Sequence, residues 1–173
     1  MDFVLLEKGI WLGCAAIGFA VLFNVPRRTL GIIYIIAALG GLIKFYLISQ
    51  EIGLVFAALC GSSTIGFLSV LAAHYRKAPP MTFALPALIP MIPGLFAYKA
   101  MVGVMELTAE KDPELYSKLF FETTSNGLKA LFIILALAAG VAIPMLITRK
   151  ETVKRIKVDA VLEKQLENLE EEN

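Results

Sequence analysis

Residues 29–49, TLGIIYIIAALGGLIKFYLIS, form an apolar run with a single charged side chain, that of Lys44. A helix that crosses the hydrocarbon core of a bilayer needs about 20 consecutive residues of mostly apolar character. The run therefore predicts a transmembrane helix. The same pattern recurs on both sides of it, and it predicts five spans: 3–23, 29–49, 52–74, 80–105 and 127–147.

The composition supports a membrane protein. Of 173 residues, 58% are hydrophobic and 18% are charged, whereas a soluble domain has about 45–50% apolar and about 25% charged residues. The length leaves little room for a separate soluble domain. We expect an all-α polytopic membrane protein with a transmembrane domain over 1–148 and a charged cytoplasmic tail over 149–173, which embeds the chain in a lipid bilayer.

Basic residues follow the first, third and fifth spans. In chain order they are Arg27, Arg28, Arg76, Lys77, Arg149, Lys150, Lys154, Arg155 and Lys157. Because Lys and Arg collect in cytoplasmic loops, five spans predict an outer N-terminus and a cytoplasmic C-terminus. Removing any internal span would split the basic clusters between the two sides, so the charges support the number five.

Two amphipathic helices are expected outside the spans. Asp112-Pro113-Glu114 is a typical helix start, and it predicts a short helix on the membrane surface before the fifth span. In the tail, apolar residues fall on one helical stripe, which predicts a C-terminal amphipathic helix. This helix either lies solvated against the membrane or docks a partner subunit. The stripe consists of Val158, Val161, Leu162, Leu166 and Leu169.

The fourth span, which contains MTFALPALIPMIPGLFAY at residues 81–98, is the most unusual. A proline removes a backbone donor and frees the carbonyl one turn earlier, here those of Thr82, Pro86 and Ile89 if the segment were helical throughout. At about 1.5 Å per residue, residues 89–94 lie roughly 12–20 Å into the span, near the middle of a core about 30 Å thick. The sequence therefore predicts that the fourth helix is broken there.

A broken helix places a half-helix start inside the membrane. Transporters use such ends to hold ions and anionic substrates, because free N–H groups and the helix dipole favour negative charge. The alternative is a kinked helix that packs against its neighbours without a ligand. The candidate pathway residues of this segment are Ile89, Pro90, Met91, Pro93, Gly94 and Tyr98.

Lys44 and Asn24 have two interpretations each, whereas Lys99 has one. Lys44, inside the second span, either snorkels to the outer interface or is a cation that meets an anionic substrate. Lys99 lies near the end of the fourth span, where snorkelling is expected. Asn24 either belongs to a turn anchored by the basic residues that follow it or lines the mouth of a pathway.

Small polar residues lie at the centre of the third span. Ser62, Ser63 and Thr64 either let helices approach and hydrogen-bond across or contact the substrate. Both alternatives stay open at this point.

Residues for other kinds of chemistry are missing from the sequence. Cys14 and Cys60 lie in apolar stretches and are expected to be small buried residues, and His74 is the only histidine. No nucleophile–base pair or metal-ligand motif is visible, and no basic face suggests nucleic acid. We expect neither an enzyme nor a cofactor or metal site, and a membrane-embedded enzyme is the weakest alternative.

Two motifs resemble a known family. Phe23-Asn24-Val25-Pro26, and the run from Ala87 to Gly94 followed by Ala97-Tyr98-Lys99-Ala100-Met101, resemble the small subunit of the split form of the threonine/serine exporter (ThrE) family. The chain is also similar to the small component of a two-protein bacterial succinate exporter. The resemblance covers about residues 10–147 and leaves out the charged tail.

The resemblance implies a function and a partner. It implies a subunit of a bacterial inner-membrane transporter that exports small carboxylate metabolites, either threonine and serine or a dicarboxylate, together with a larger membrane subunit and with a higher oligomer as an option. The alternative is a scaffold or assembly subunit of such a complex, with the whole pathway in the partner.

Overall fold

The computed structural model describes the backbone of residues 2–171 and the side chains of residues 3–148. All regular secondary structure in the described backbone is helical. The helices are α1 (Asp2–Leu22), α2 (Leu30–Ser49), α3 (Leu54–Arg76), α4 (Met81–Leu88), α5 (Gly94–Ala109) and α6 (Pro113–Glu171), with short 3-10 helices at Arg27–Thr29 and Ile89–Met91.

Four helical segments in the described part of the chain are long and apolar enough to cross a membrane. They are Phe3–Leu22, Arg27–Ser49, Leu54–Arg76 and Pro113–Thr148. A fifth candidate is the pair Met81–Met91 and Gly94–Ala109, if the pair counts as one span. The prediction of an all-α polytopic membrane protein is confirmed, and the observed segments start within a few residues of the first four predicted spans.

Glycines set the contacts between the central helices. A methyl group added at Gly61 on α3 would lie 2.7 Å from the carbonyl oxygen of Gly40 on α2. One added at Gly66 would lie 3.0 Å from the carbonyl oxygen of Val141 on α6. Small residues let helix backbones approach this closely in membranes. These glycines therefore allow α3 to pack closely against both α2 and α6.

Helices α3 and α6 run in the same direction, with α6 starting much earlier. Ser62 lies beside Ala136, and Gly66 lies beside Gly140. Because the same number of residues separates the two members of each pair, Leu54 is level with Leu128. Because α6 begins at Pro113, it extends about 20 Å past the start of α3.

The extension of α6 forms a helical hairpin with α5. Gly103 packs against Thr123, and a methyl group at Gly127 would lie 3.7 Å from the Ala100 side chain. The 36 residues of Pro113–Thr148 span about 54 Å, and the hydrocarbon core is only about 30 Å thick. A helix of this length cannot lie wholly inside the core. We call α5 and residues 113–127 of α6 the hairpin.

The prediction of a separate surface helix before the fifth span is wrong. Its start is as expected, because the Asp112 carboxylate accepts a hydrogen bond from the Glu114 N–H at 3.0 Å, which caps the helix. The helix then continues into the membrane without interruption. No proline follows until Pro144, and a single glycine such as Gly127 costs a helix only about 1 kcal/mol.

The backbone of α6 stays helical through Glu171. The side chains from residue 149 onward lie outside the described part, and so does the predicted amphipathic stripe of the tail. The predicted domain boundary at 148–149 coincides with no break in the backbone helix and stays a prediction.

Candidate functional site

The fourth predicted span is broken where the prolines predict. Helix α4 passes into the 3-10 helix Ile89–Met91, Ile92 is extended, and α5 begins at Gly94. The two halves differ in direction by 55°. Pro93, with φ −80° and ψ 60°, forms an inverse γ-turn, in which the Gly94 N–H donates to the Ile92 carbonyl at 2.9 Å.

The carbonyl released by the break is not the one that the sequence predicts. The Ile89 carbonyl accepts a hydrogen bond from the Ile92 N–H at 3.1 Å, because the 3-10 helix replaces the missing proline donor with a nearer amide. The break moves the unpaired position two residues on, to Met91. There, the Lys44 ammonium donates to the Met91 carbonyl oxygen at 3.0 Å.

Lys44 thus reaches across from α2 to the break. Its side chain is half-buried, and its ammonium bonds to a backbone carbonyl of the break. A methyl group at Gly61 would lie 2.8 Å from Cε of Met91 and 3.0 Å from Cβ of Lys44. Three helical elements therefore meet at Gly61, which belongs to the small polar centre of the third predicted span.

The half-helix start beside this contact is open. Gly94 is exposed, and a methyl group added to it would meet no atom within 4 Å. The next residue, Leu95, is also exposed. The first amides of α5 therefore lie near open space, next to a lysine that bonds to a neutral carbonyl. Among the described residues, no side chain forms an ion pair with Lys44, and no group of three or more His, Cys, Asp or Glu residues suits a metal ion.

The polar residues of α3 face elsewhere. Ser62 is buried and donates to the carbonyls of Leu59 at 3.0 Å and Ala136 at 3.3 Å. Thr64 donates to the carbonyl of Cys60 within its own helix, also at 3.0 Å, and Ser63 is half-buried. Ser62 therefore lies in the contact between α3 and α6, and the break is reached by Gly61 instead.

Asn24 lies at the end of the bundle that carries Arg27 and Arg76, which we call the basic end. Its φ of 54° lies in the left-handed region, which asparagine tolerates better than most residues. A cavity of about 390 Å³ opens there beside the start of α4. Its walls include Asn24, Pro26, Thr82 and Pro86.

Tyr98 lies on the other side of the break, in the hairpin. It is exposed and lines a cavity of about 290 Å³ between α5 and α6. We call this the hairpin cavity. Lys99 lines it as well, together with Glu106 and Glu122, which the sequence pattern does not single out.

The predicted residues therefore occupy four places. The break holds Ile89, Pro90, Met91, Pro93, Gly94 and Lys44; Asn24 lies at the basic end, Tyr98 in the hairpin cavity, and Ser62 between α3 and α6. The order along the molecule is basic-end cavity, α4, break and hairpin cavity. Lys129 is a further charged residue near the start of α5, because its ammonium lies 6.0 Å from the ring centre of Phe96. The apolar pattern of the fifth span does not indicate this contact.

Comparison with known proteins identifies the family. Residues 8–147 match the family model described as Threonine/Serine exporter, ThrE. An uncharacterized protein of Haemophilus influenzae is 36% identical over 143 residues, which is 83% of this chain and 47% of that protein. The chain thus spans about half the length of this relative. No solved structure matches. The match over most of the chain shows that it belongs to the threonine/serine exporter (ThrE) family.

Proposed function

We propose that the chain is one subunit of a bacterial inner-membrane transporter that exports small carboxylate metabolites. The bond between Lys44 and the Met91 carbonyl is the observation that carries this proposal. It joins the only charged residue of the second apolar run to the backbone released by the proline break. Intramembrane charges and broken helices both mark transport pathways.

A carboxylate is the ligand that suits this arrangement. The Lys44 ammonium attracts a carboxylate as one full charge attracts another, whereas the Met91 carbonyl is neutral, so a substrate carboxylate competes well for the ammonium. The open first turn at Gly94 offers N–H donors and the positive end of the helix dipole. Threonine, serine and small dicarboxylates all carry the group that this site would bind.

The same contact supplies a means of alternating access. While Lys44 holds Met91, α4 and α2 are tied together at the break. When a carboxylate takes the ammonium, the tie is released and α5 is free to turn about residues 92–94. In secondary transporters, discontinuous helices near the midplane form the substrate site around which the two parts of the protein move.

The pathway is completed by a larger partner subunit in this proposal. The aligned region corresponds to 47% of the length of its Haemophilus influenzae relative, and in this proposal the larger subunit contributes the remainder of the pathway. Arg27, Arg28 and Arg76 lie at one end of the bundle, and we assign that end to the cytoplasm by the positive-inside rule. The N-terminus is then outside and the hairpin is at the outer surface.

Efflux measurements on Lys44 variants test the proposal. Cells loaded with threonine, serine or succinate and expressing the chain with its partner should lose export when they carry Lys44→Met, because the ammonium is absent. Lys44→Arg keeps the charge and should retain part of the export. Lys118→Met, on an exposed part of the hairpin, is the matched control and should export normally. Normal export by Lys44→Met would overturn the site.

Reconstitution separates this function from that of a scaffold. The larger subunit alone, this chain alone and both together are placed in lipid vesicles, and efflux of each substrate is measured. We expect efflux only from the pair, and loss of efflux when the pair contains Lys44→Met. Efflux by the larger subunit alone, at the rate of the pair, would assign this chain to assembly.

A further inference from the structure

A cavity of about 460 Å³ opens at the basic end of the bundle, between α3, the start of α4 and α6. We call it the α3–α6 cavity. Its walls are mostly apolar, since they include Val70 of α3 and Ala142, Met145 and Leu146 of α6. Leu146 is more than half exposed, so the cavity opens on the lateral surface of the bundle. An acyl chain of the bilayer is slender and apolar, and such walls favour it over water.

Both polar side chains of the described wall lie at its rim, toward the basic end. His74 is level with Thr148, because α3 and α6 keep the register that sets Ser62 beside Ala136. Nδ1 of His74 lies 2.9 Å from the carbonyl oxygen of Val70. A carbonyl only accepts hydrogen bonds, so Nδ1 carries the hydrogen, and Nε2 remains for a second partner.

The residues that follow His74 place this rim at the surface of the membrane. Tyr75 is largely exposed, and the guanidinium of Arg76 lies 5.3 Å from the centre of its ring. Tyrosine is enriched at the level of the lipid headgroups, and long basic side chains extend to the same level. The headgroup of a lipid whose chain enters the cavity would therefore lie beside His74 and Arg76.

The charges at this end favour an anionic headgroup. Arg27, Arg28, Arg76 and Lys77 lie here. The carboxylates of residues 3–148 lie at the start of α1, in the turn between α2 and α3 and in the hairpin, all toward the opposite end. Within that range, no acidic side chain neutralises the rim of the cavity. Basic pockets between membrane helices bind anionic headgroups in this way.

We propose that the α3–α6 cavity binds an anionic glycerophospholipid. One acyl chain lies against Val70, Ala142 and Met145, and the phosphate accepts a hydrogen bond from Nε2 of the protonated His74 ring, beside Arg76. The lipid fills the space between the start of α4 and α6. The site is independent of the proposed export function, because it shares no residue with the helix break.

Quenching by brominated lipids tests the site. Trp11, the single tryptophan of the chain, is replaced by Phe, and Leu146→Trp places a new one at the cavity. The purified full chain is reconstituted in vesicles, and quenching by lipids with brominated chains gives their relative binding. Phosphatidylglycerol should bind about fivefold more tightly than phosphatidylcholine, the effect of one basic side chain beside an anionic lipid. Leu22→Trp, exposed at the basic end of α1, is the matched control and should show a smaller preference.

Variants in the Leu146→Trp background assign the headgroup and the chain. His74→Gln and Arg76→Gln should each lower the preference for phosphatidylglycerol several-fold. Arg28→Gln removes a charge from the same end but outside the cavity, and it should leave the preference unchanged. Ala142→Phe narrows the cavity and should reduce the preference to that of Leu22→Trp. Glycerol phosphate in solution has the charge without the chains, and it should not compete.

Four results would overturn the proposal. They are equal binding of the two lipids at Leu146→Trp, a preference that both His74→Gln and Arg76→Gln leave unchanged, competition by glycerol phosphate, and absence of quenching at Leu146→Trp. Competition would indicate a phosphate site without a lipid, and absence of quenching would indicate that a protein segment covers the cavity. Lys44→Met should keep the preference, so this site and the export site fail separately.

Discussion

The helix break and the hairpin cavity differ in how they are packed. At the break, α4 and its 3-10 helix lie among α1, α2 and α3, and Gly61 brings backbones so close that no methyl group fits. In the hairpin, two helices face each other across charged, exposed side chains. Any ligand of the Lys44 ammonium would have to displace the Met91 carbonyl at the break, whereas the hairpin cavity is already open.

The strongest test of the break is Gly94→Leu. Export should fall to the background of cells without the chain, because the leucine side chain covers the first amides of α5. Stability should stay close to that of the wild type, since the position is open and leucine is a better helix former than glycine. Efflux and a thermal melt of the purified protein measure the two effects.

Met91→Trp is not an equivalent test of the break. Met91 is 1% exposed and its Cε already lies against Gly61, so a larger side chain should unfold the site as well as block it. Export at the wild-type rate by Gly94→Leu would contradict the role of the half-helix start.

The next effect concerns packing at the centre. Gly61→Ala should cost about 3 kcal/mol, at the upper end for overpacked interiors, because the new methyl group meets the backbone carbonyl of Gly40, which cannot rotate away. Reversible unfolding in detergent or bicelles measures the loss. Gly94→Ala, with open space around it, is the control. A smaller loss of stability for Gly61→Ala than for Gly103→Ala would contradict the difference in packing between the break and the hairpin.

Gly103→Ala should cost less, about 1 kcal/mol. Its methyl group meets the side chain of Thr123, and side chains yield more easily than backbone. Thr123→Ala should restore part of the stability of Gly103→Ala, because it removes the hydroxyl but leaves Cβ of residue 123 at 3.0 Å from the new methyl group. No truncation of a neighbouring side chain should restore Gly61→Ala. The same unfolding measurement decides this, and a double variant no more stable than Gly103→Ala would show that the backbones of α5 and α6 are in contact there.

The smallest effect is expected for Ser62→Ala. The hydroxyl bonds to the Ala136 carbonyl on α6, and such bonds between membrane helices average about 0.6 kcal/mol. Its second bond stays within α3. Export should continue at the wild-type rate if Ser62 serves packing alone. A large loss of export at unchanged stability would place Ser62 on the pathway instead.

The sequence predicts the spans and the break because both depend on local chemistry. Apolar runs such as 29–49 and prolines such as Pro90 and Pro93 act on their own segment wherever it packs. The bond from Lys44 to Met91 joins positions 47 residues apart, and no local pattern indicates which carbonyl a lysine will reach. The 3-10 turn, which pairs the Ile89 carbonyl and leaves that of Met91, follows from the path of the backbone.

The sequence does not predict the hairpin, for a related reason. Glu106 and Glu122 have the spacing of ordinary surface residues, and a polar stretch between two apolar runs is typical of a connecting loop. Only the continuity of α6 sets them opposite each other. The signal available in the sequence is the matching i, i+3, i+4, i+7 pattern at 99–106 and 119–126, which becomes meaningful once the two helices are known to be antiparallel neighbours.

The continuity of α6 has a mechanical consequence. One helix of about 54 Å runs from Pro113 at the far tip of the hairpin to Thr148, and α5 rests on its outer part. A tilt of about 5° about the Thr148 end would carry the tip by about 5 Å. If α5 turns about Pro93, it must therefore either slide along α6 or tilt it. Distances from a label on α2 to labels at Leu115 and Thr148 on α6 would distinguish the two movements.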